Sequence, residues 1–92
     1  MMENKALPFK QENKEGKLIR EFSQFVDIEE LHWHRDRTNR EVKIIQGGGW
    51  KYQSWDSLPI KLKNNETISI PRGLWHRVIK GDEPLIIEIT ES

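Results

Sequence analysis

Two histidines and an aspartate occupy alternate positions in the short segment ELHWHRDRTNRE, residues 30–41. They are His32, His34 and Asp36, and the third histidine of the chain is His76. Alternate residues of a β-strand point to the same side of a sheet, so these side chains share one face if the segment is extended. Imidazole nitrogens bind Zn, Fe, Ni and Cu, and a ligand from another strand completes the set. The pattern predicts a metal site of His32, His34 and His76, with Asp36 as an additional candidate ligand.

The composition describes one small, very polar domain. The chain has 92 residues, of which 33% are charged and 35% hydrophobic, with fifteen basic and fifteen acidic residues. A domain of this size buries only about 60% of its unfolded surface, so a bound ion or a second subunit is expected to add stability. Zero net charge argues against nucleic acid and a membrane surface as partners. Without cysteine, a long apolar segment or a signal sequence, we expect a soluble cytoplasmic protein. The need for added stability favours a homodimer.

Short strand patterns separated by turn residues extend along most of the chain. Residues 1–16 form a polar N-terminal arm in this interpretation, and residues 17–92 form the folded domain. Strands are predicted near residues 18–22 and 30–36, and over the segments EVKIIQ, WKYQSW, IKLK, TISI, LWHRVIK and LIIEIT. The three glycines 47–49 require a tight turn or a close approach to another backbone. No segment has sustained helical periodicity, so the sequence predicts an all-β sandwich or barrel.

Strand alternation also predicts which side chains point inward. Val42 and Ile44 are expected to face the interior, and Arg40 shares their side of the strand. Glu41 then points outward, although Ile45 lies on the same side as Glu41 and would favour the reverse orientation. On a later strand, His76 and Val78 share one face. The predicted pocket is therefore lined by the following residues: Arg40, Val42, Ile44 and Val78.

Two motifs resemble those of the cupin superfamily. The stretch HWHRDRTNREVKIIQGGG, residues 32–49, resembles the first cupin motif, in which H-x-H precedes a glutamate and an apolar strand that ends in glycine. The stretch NNETISIPRGLWHRVI, residues 64–79, resembles the second motif, with P-x-G-x-x-H at residues 71–76. Over about residues 26–90 the chain is similar to a small single-domain, RmlC-like cupin of the kind that some bacteriophages carry. The resemblance implies an antiparallel double-stranded β-helix (jelly-roll) barrel, usually dimeric, with a divalent metal held by the motif histidines.

One position departs from the pattern of the family. The metal-binding glutamate of the family precedes the strand-ending glycine by seven residues, which leads to Arg40 from Gly47 and to Glu41 from Gly48. Alternation places Arg40 inside, and a guanidinium is protonated and has no lone pair to offer a cation. The site therefore has three histidines only, has lost its metal, or takes Glu41 as a ligand after a change of register.

The predicted function is binding of a divalent ion (Fe, Zn, Mn or Ni) beside a pocket for a small molecule, with Lewis-acid or oxidative activity. Arginines near the histidines in sequence favour an anionic ligand. A non-enzymatic scaffold, either a ligand sensor or an assembly module with a degenerate metal site, is the alternative. His34, Asp36 and His76 also have the H-x-D…H order of an Fe(II)/2-oxoglutarate oxygenase. Without metal, a histidine paired with Asp36 would act as a general base, as in cupin-fold sugar isomerases.

Overall fold

The fold is nearly all β, as predicted. A computed structural model describes residues 8–28 and 31–92, and all strand pairs within these ranges are antiparallel. The strands are β1 (Lys10–Lys14), β2 (Lys17–Phe22), β3 (Arg40–Gln46), β4 (Lys51–Ser54), β5 (Ile60–Lys61), β6 (Thr67–Ile70), β7 (His76–Ile79) and β8 (Leu85–Glu91). Each apolar segment from EVKIIQ onward contains one of these strands. The antiparallel fold class predicted from the sequence is confirmed.

The strands form two sheets that share one core. The larger sheet has the order β1-β2-β8-β3-β6 and the smaller sheet has the order β5-β4-β7. The described strands leave these sheets open, whereas a closed barrel had been expected. The reason lies in the segment before β3, which was predicted as a strand around residues 30–36. In its described part, from Leu31 onward, this segment is irregular, and only His34 forms a bridge, to His76 of β7.

Alternation along β3 and β8 builds the core. Val42 and Ile44 of β3 are 6% and 1% exposed, and β8 buries every second residue from Leu85 to Ile89. A bulge between Ile44 and Gln46 shifts the register of β3 against β8, and Ile45 is left exposed. The bulge explains why the apolar Ile45 does not turn the Glu41 side of the strand toward the interior. The same face of β3 therefore carries Arg40 toward the interior.

Glycines 47–49 lie where two backbone segments approach each other closely. A Cβ atom on Gly47 would overlap the carbonyl oxygen of Leu62, and one on Gly81 would overlap the backbone of Gly48. Gly48 and Gly49 have φ values of 58° and 82°, in the left-handed region that favours glycine. The glycine run 47–49 therefore provides both features predicted from the sequence, a tight turn and a close approach to another backbone.

The N-terminal part contributes an edge strand. β1 lies within the predicted arm and pairs with β2 along its whole length, while all five of its residues are exposed. Residues 1–7 of that arm, and residues 29–30, lie outside the described ranges. The arm boundary and the homodimer stay predictions. In residues 8–28 and 31–92, no helix is long and apolar enough to span a membrane.

Candidate metal site

Two histidines and an aspartate meet where the irregular segment crosses β7. The candidate ligand atoms of His34, Asp36 and His76 all lie within 4.8 Å of one another. His76 Nε2 is 3.3 Å from Asp36 Oδ2, and His34 Nε2 is 3.9 Å from Asp36 Oδ1. The backbones of His34 and His76 exchange two hydrogen bonds, of 2.9 and 2.8 Å. The bridge therefore brings both imidazole rings to one side of Asp36, with their centroids 4.3 Å apart.

Hydrogen bonds to backbone carbonyls fix the tautomers of both rings. Nδ1 of His34 lies 3.0 Å from the carbonyl oxygen of His32, and Nδ1 of His76 lies 2.8 Å from that of Leu74. A carbonyl oxygen only accepts hydrogen bonds, so each Nδ1 donates its proton. In the neutral rings, each Nε2 then directs a lone pair toward Asp36. Metal-binding histidines commonly have this arrangement, with the outer nitrogen bound to a carbonyl.

Burial keeps His76 in the neutral form that binds metals. Its side chain lies in the core with 4% exposure, and this burial lowers the pKa of the imidazole. Nearby His34 and Arg40 lower the pKa further, while the hydrogen bond to Leu74 and the charge of Asp36 act in the opposite direction. At neutral pH, His76 therefore presents a lone pair and no proton to the aspartate.

The donor set fits a divalent metal ion. Asp36 Oδ2 is buried and has no hydrogen-bond partner among the described residues. Buried polar atoms are rarely left unpaired, and a bound water or ion is one way in which such an oxygen is satisfied. Two neutral nitrogens and one carboxylate oxygen are the ligand types of Zn and non-haem Fe sites. A cation between them would satisfy all three at once.

Arg40 holds the other oxygen of the aspartate. Its NH1 nitrogen lies 3.2 Å from Asp36 Oδ1, and its NH2 and Nε nitrogens lie 2.8 and 3.0 Å from Glu91 Oε2. The guanidinium is thus bound between two carboxylates. It orients Asp36 and leaves Oδ2 directed toward the histidines.

The remaining residues from the sequence prediction are distributed around this group. Arg40, Val42, Ile44 and Val78 line the same interior cavity, of about 310 Å³, as the three candidate ligands. His32 also lines this cavity, but it lies outside the group of three because the irregular segment does not keep strict alternation. Glu41 is exposed and accepts a hydrogen bond from Ser69 Oγ at 2.6 Å, so it points away from the site.

Three residues of the site environment were not singled out from the sequence. Arg20 of β2 and Tyr52 of β4 line the cavity, and Glu91 of β8 binds Arg40. Burial, and then the charge of Asp36, raise the pKa of Tyr52, so its hydroxyl stays protonated. The signal for Arg20 was its alternation with Leu18 and Phe22, which are apolar. For Glu91, the sequence holds no comparable signal.

Glu91 is expected to make stability depend on pH. Hydrogen bonds from Arg40, and then from Thr38, lower the pKa of its carboxyl group. A lowered pKa contributes stability above the unfolded value, near 4.3, and this contribution disappears as the pH falls through the folded pKa. Because Glu91 lies at the surface, we expect less than about 1 kcal/mol. Urea midpoints of wild type and Glu91→Gln should differ at neutral pH, and the difference should shrink as the pH falls below the unfolded pKa and through the folded pKa; a constant difference would contradict this assignment.

A second, shallow cavity of about 430 Å³ has a lining that includes none of the candidate metal ligands. It is lined by Trp33, Trp55 and Trp75. The Arg77 guanidinium lies 4.8 Å from the centroid of the Trp33 ring, and that of Arg35 lies 5.1 Å from the Trp75 ring. Neither of these two arginines lines the interior cavity.

Several solved structures of similar architecture are cupins. An RmlC-like cupin family protein with a double-stranded β-helix fold, from Methanocaldococcus jannaschii, has a TM-score of 0.68 and 14% identity, covering 100% of this chain and 86% of that one. A cupin domain from Bordetella pertussis has a TM-score of 0.64 and 16% identity, covering 100% and 99%. Crystal structures of DMSP lyases include a chain with a TM-score of 0.67 and 12% identity. The match covers 79% of this chain but only 35% of that one.

The fold and the site together define the class of this protein. No protein-family model and no curated protein matches the sequence. The similar structures share its double-stranded β-helix architecture at identities that establish the fold alone. The chain is a small cupin-fold protein in which two histidines and one aspartate form a group that could hold a metal ion.

Proposed function

We propose that this protein binds one divalent transition-metal ion through His34, Asp36 and His76, beside a cavity that takes a small molecule. The observation that carries the proposal is the buried Asp36 Oδ2, which faces two imidazole nitrogens and has no hydrogen-bond donor within the described ranges. The proposed set shares two histidines with the set from the sequence and has Asp36 in place of His32. A bound ion of this kind supplies Lewis acidity or, if it is iron, redox chemistry.

The surrounding residues prepare the site for such an ion. Two backbone hydrogen bonds between His34 and His76 hold the ligand-bearing segments together. Arg40 orients the carboxylate of Asp36 through Oδ1. Apolar side chains supply most of the cavity wall, so a small molecule bound there would be shielded from water.

Metal titration tests the proposal directly. Metal-free protein would be titrated with Zn(II), Ni(II), Mn(II) and, without oxygen, Fe(II), using calorimetry, followed by elemental analysis after gel filtration. We expect one tightly bound ion per chain for at least one metal. A double variant, His34→Ala with His76→Ala, is the control for non-specific binding. Equal metal content in wild type and double variant would reject the site.

The ligand set also supports an oxygenase as a second candidate function. Two histidines and one carboxylate form the facial set of non-haem Fe(II) oxygenases, and the structure groups these three residues. Oxygen consumption and succinate formation with Fe(II) and 2-oxoglutarate would be measured. No consumption above that of the double variant would eliminate this candidate. Because one structural neighbour is a DMSP lyase, DMSP cleavage is measured in the same series.

The ion pair between Arg40 and Asp36 favours a non-enzymatic scaffold as the other alternative. It neutralises the aspartate without metal, as expected of a degenerate site. Under this alternative, wild type binds no metal, whereas Arg40→Glu gains metal affinity because a carboxylate replaces a cation. Stoichiometric metal in the wild type would reject it.

A homodimer in the cytoplasm completes the proposal. The exposure of Trp55 (67%) and Leu58 (85%) is compatible with a second copy covering part of this surface. Light scattering coupled to gel filtration would give the mass in solution; a monomer at high concentration would reject the dimer.

A further inference from the structure

The interior cavity combines an apolar wall with a small charged region. Its volume, about 310 Å³, is at the lower end of the range for ligand pockets. Apolar side chains from both sheets supply most of the wall, among them Phe22, Val42, Ile68 and Val78. The candidate metal ligands, together with Arg20 and Arg40, supply polar and charged groups. A guest must therefore be short, mostly apolar, and polar at one end.

Within residues 8–28 and 31–92, Arg20 differs from Arg40 in having no carboxylate at ion-pair distance. It follows the inward alternation of Leu18 and Phe22 on β2 and reaches the cavity. Its guanidinium lies 4.2 Å from the centroid of the Phe9 ring, and its Nε donates a hydrogen bond to Gln11 Oε1 at 2.5 Å. In the part of the chain that the structure describes, no ion pair to Arg20 is found, whereas Arg40 binds two carboxylates.

The surroundings of Arg20 favour an anionic guest. Burial, and then the charge of Arg40, lower the pKa of Arg20, while the charges of Asp36 and Glu91 act in the opposite direction and offset this only in part. A partly buried guanidinium that makes no direct ion pair has donors left for a ligand, and a bidentate carboxylate is its best-matched ligand. A carboxylate in the cavity would supply the missing partner.

A count of charges points in the same direction when the metal is bound. The divalent ion brings two positive charges, and Arg20 and Arg40 bring one each. Asp36 and Glu91 supply one negative charge each among the groups that face or bind these residues. The loaded site therefore has an excess of positive charge, which a carboxylate on the guest would reduce.

We propose that the cavity takes a small monocarboxylate with an apolar body, its carboxylate bound by Arg20 and its body packed against the apolar wall. The proposal rests on the proposed metal site for the charge excess, but the contact with Arg20 does not require the ion. It names a substrate class for the cavity, and Arg20 as the residue that selects it.

Hexanoate and its uncharged counterpart hexanamide are suitable probes because they share chain length and differ in charge. Calorimetry would be carried out with Zn-loaded and metal-free protein. We expect wild type to bind hexanoate at least about tenfold more tightly than hexanamide, as a charge-assisted hydrogen bond implies. Arg20→Met should weaken hexanoate binding about tenfold or more and change Zn affinity by less than about twofold. Arg35→Met, which removes an arginine outside the cavity, should bind hexanoate as wild type does.

Equal binding of hexanoate and hexanamide by wild type would overturn the inference, as would unchanged hexanoate binding in a folded Arg20→Met. If Arg20→Met does not fold, Arg20→Lys replaces it and should keep the preference for hexanoate. Wild type that binds Zn without preferring hexanoate contradicts the inference alone. Wild type that prefers hexanoate without binding Zn contradicts the proposed metal site and supports the role of Arg20.

Discussion

Alanine at position 76 is expected to abolish stoichiometric metal binding, with a loss of affinity of at least about a hundredfold. Changing a residue that only supports a ligand costs about 10–100-fold, and His76 is proposed as a ligand itself. It is also the most buried of the three candidates, so no other side chain replaces its nitrogen easily. Competition with a chromophoric chelator would measure the loss for Zn(II) and Ni(II).

His32→Ala is the matched control, since it removes the same side chain from the same cavity. His32 lies outside the group of candidate ligands, so its removal should change affinity by less than about threefold. Asp36→Asn keeps the shape of the carboxyl group but removes its charge, and should weaken binding strongly. If His32→Ala loses as much affinity as His76→Ala, the three-histidine set predicted from the sequence is the correct one.

Trp50→Ala is expected to have the largest effect on stability. The ring is fully buried, lies 5.6 Å from the Phe22 ring between centroids, and donates a hydrogen bond from Nε1 to the Glu83 carbonyl at 2.6 Å. Loss of a buried tryptophan destabilises by about 3–5 kcal/mol, against a total of roughly 5–15 kcal/mol for a small domain. The variant should show a much lower urea midpoint or be unfolded at 25 °C.

Trp55→Ala tests the same substitution on the surface. This ring is 67% exposed in the single chain and makes an edge contact with the Trp33 ring, so the free energy of unfolding of the monomer should change by no more than about 1 kcal/mol. Circular dichroism during urea titration would compare both variants with wild type. If the two substitutions destabilise equally, the assignment of Trp50 to the core is incorrect.

The strands could be predicted from the sequence because their signal is local. Val42 and Ile44 alternate with charged residues, and Leu85, Ile87 and Ile89 recur at every second position of β8, so period and burial agree. Turn residues with restricted conformations marked the strand ends; Asn65, for example, has a φ of 70°. The all-β class follows from these features without any long-range information, whereas the antiparallel pairing was implied by the resemblance to cupins.

The composition of the site depends on contacts between distant parts of the chain. The segment that carries Asp36 is not a regular strand, so alternation alone could not decide between Asp36 and His32. The position of Arg40 followed from alternation, but its binding to Glu91, 51 residues away, required the pairing of β3 with β8. Arg20 was missed because it lies on β2, outside both motifs that carried the resemblance.

The backbone pairing of His34 with His76 has a consequence for changing the site. Because two main-chain hydrogen bonds set the spacing of these residues, that spacing does not depend on which side chain occupies position 36. Under the proposed function, position 36 is therefore an exchangeable ligand position. Histidine there would give an all-nitrogen set of the zinc enzyme type, while a carboxylate keeps the mixed set typical of iron. Under that proposal, metal preference would be open to redesign separately from the architecture of the fold.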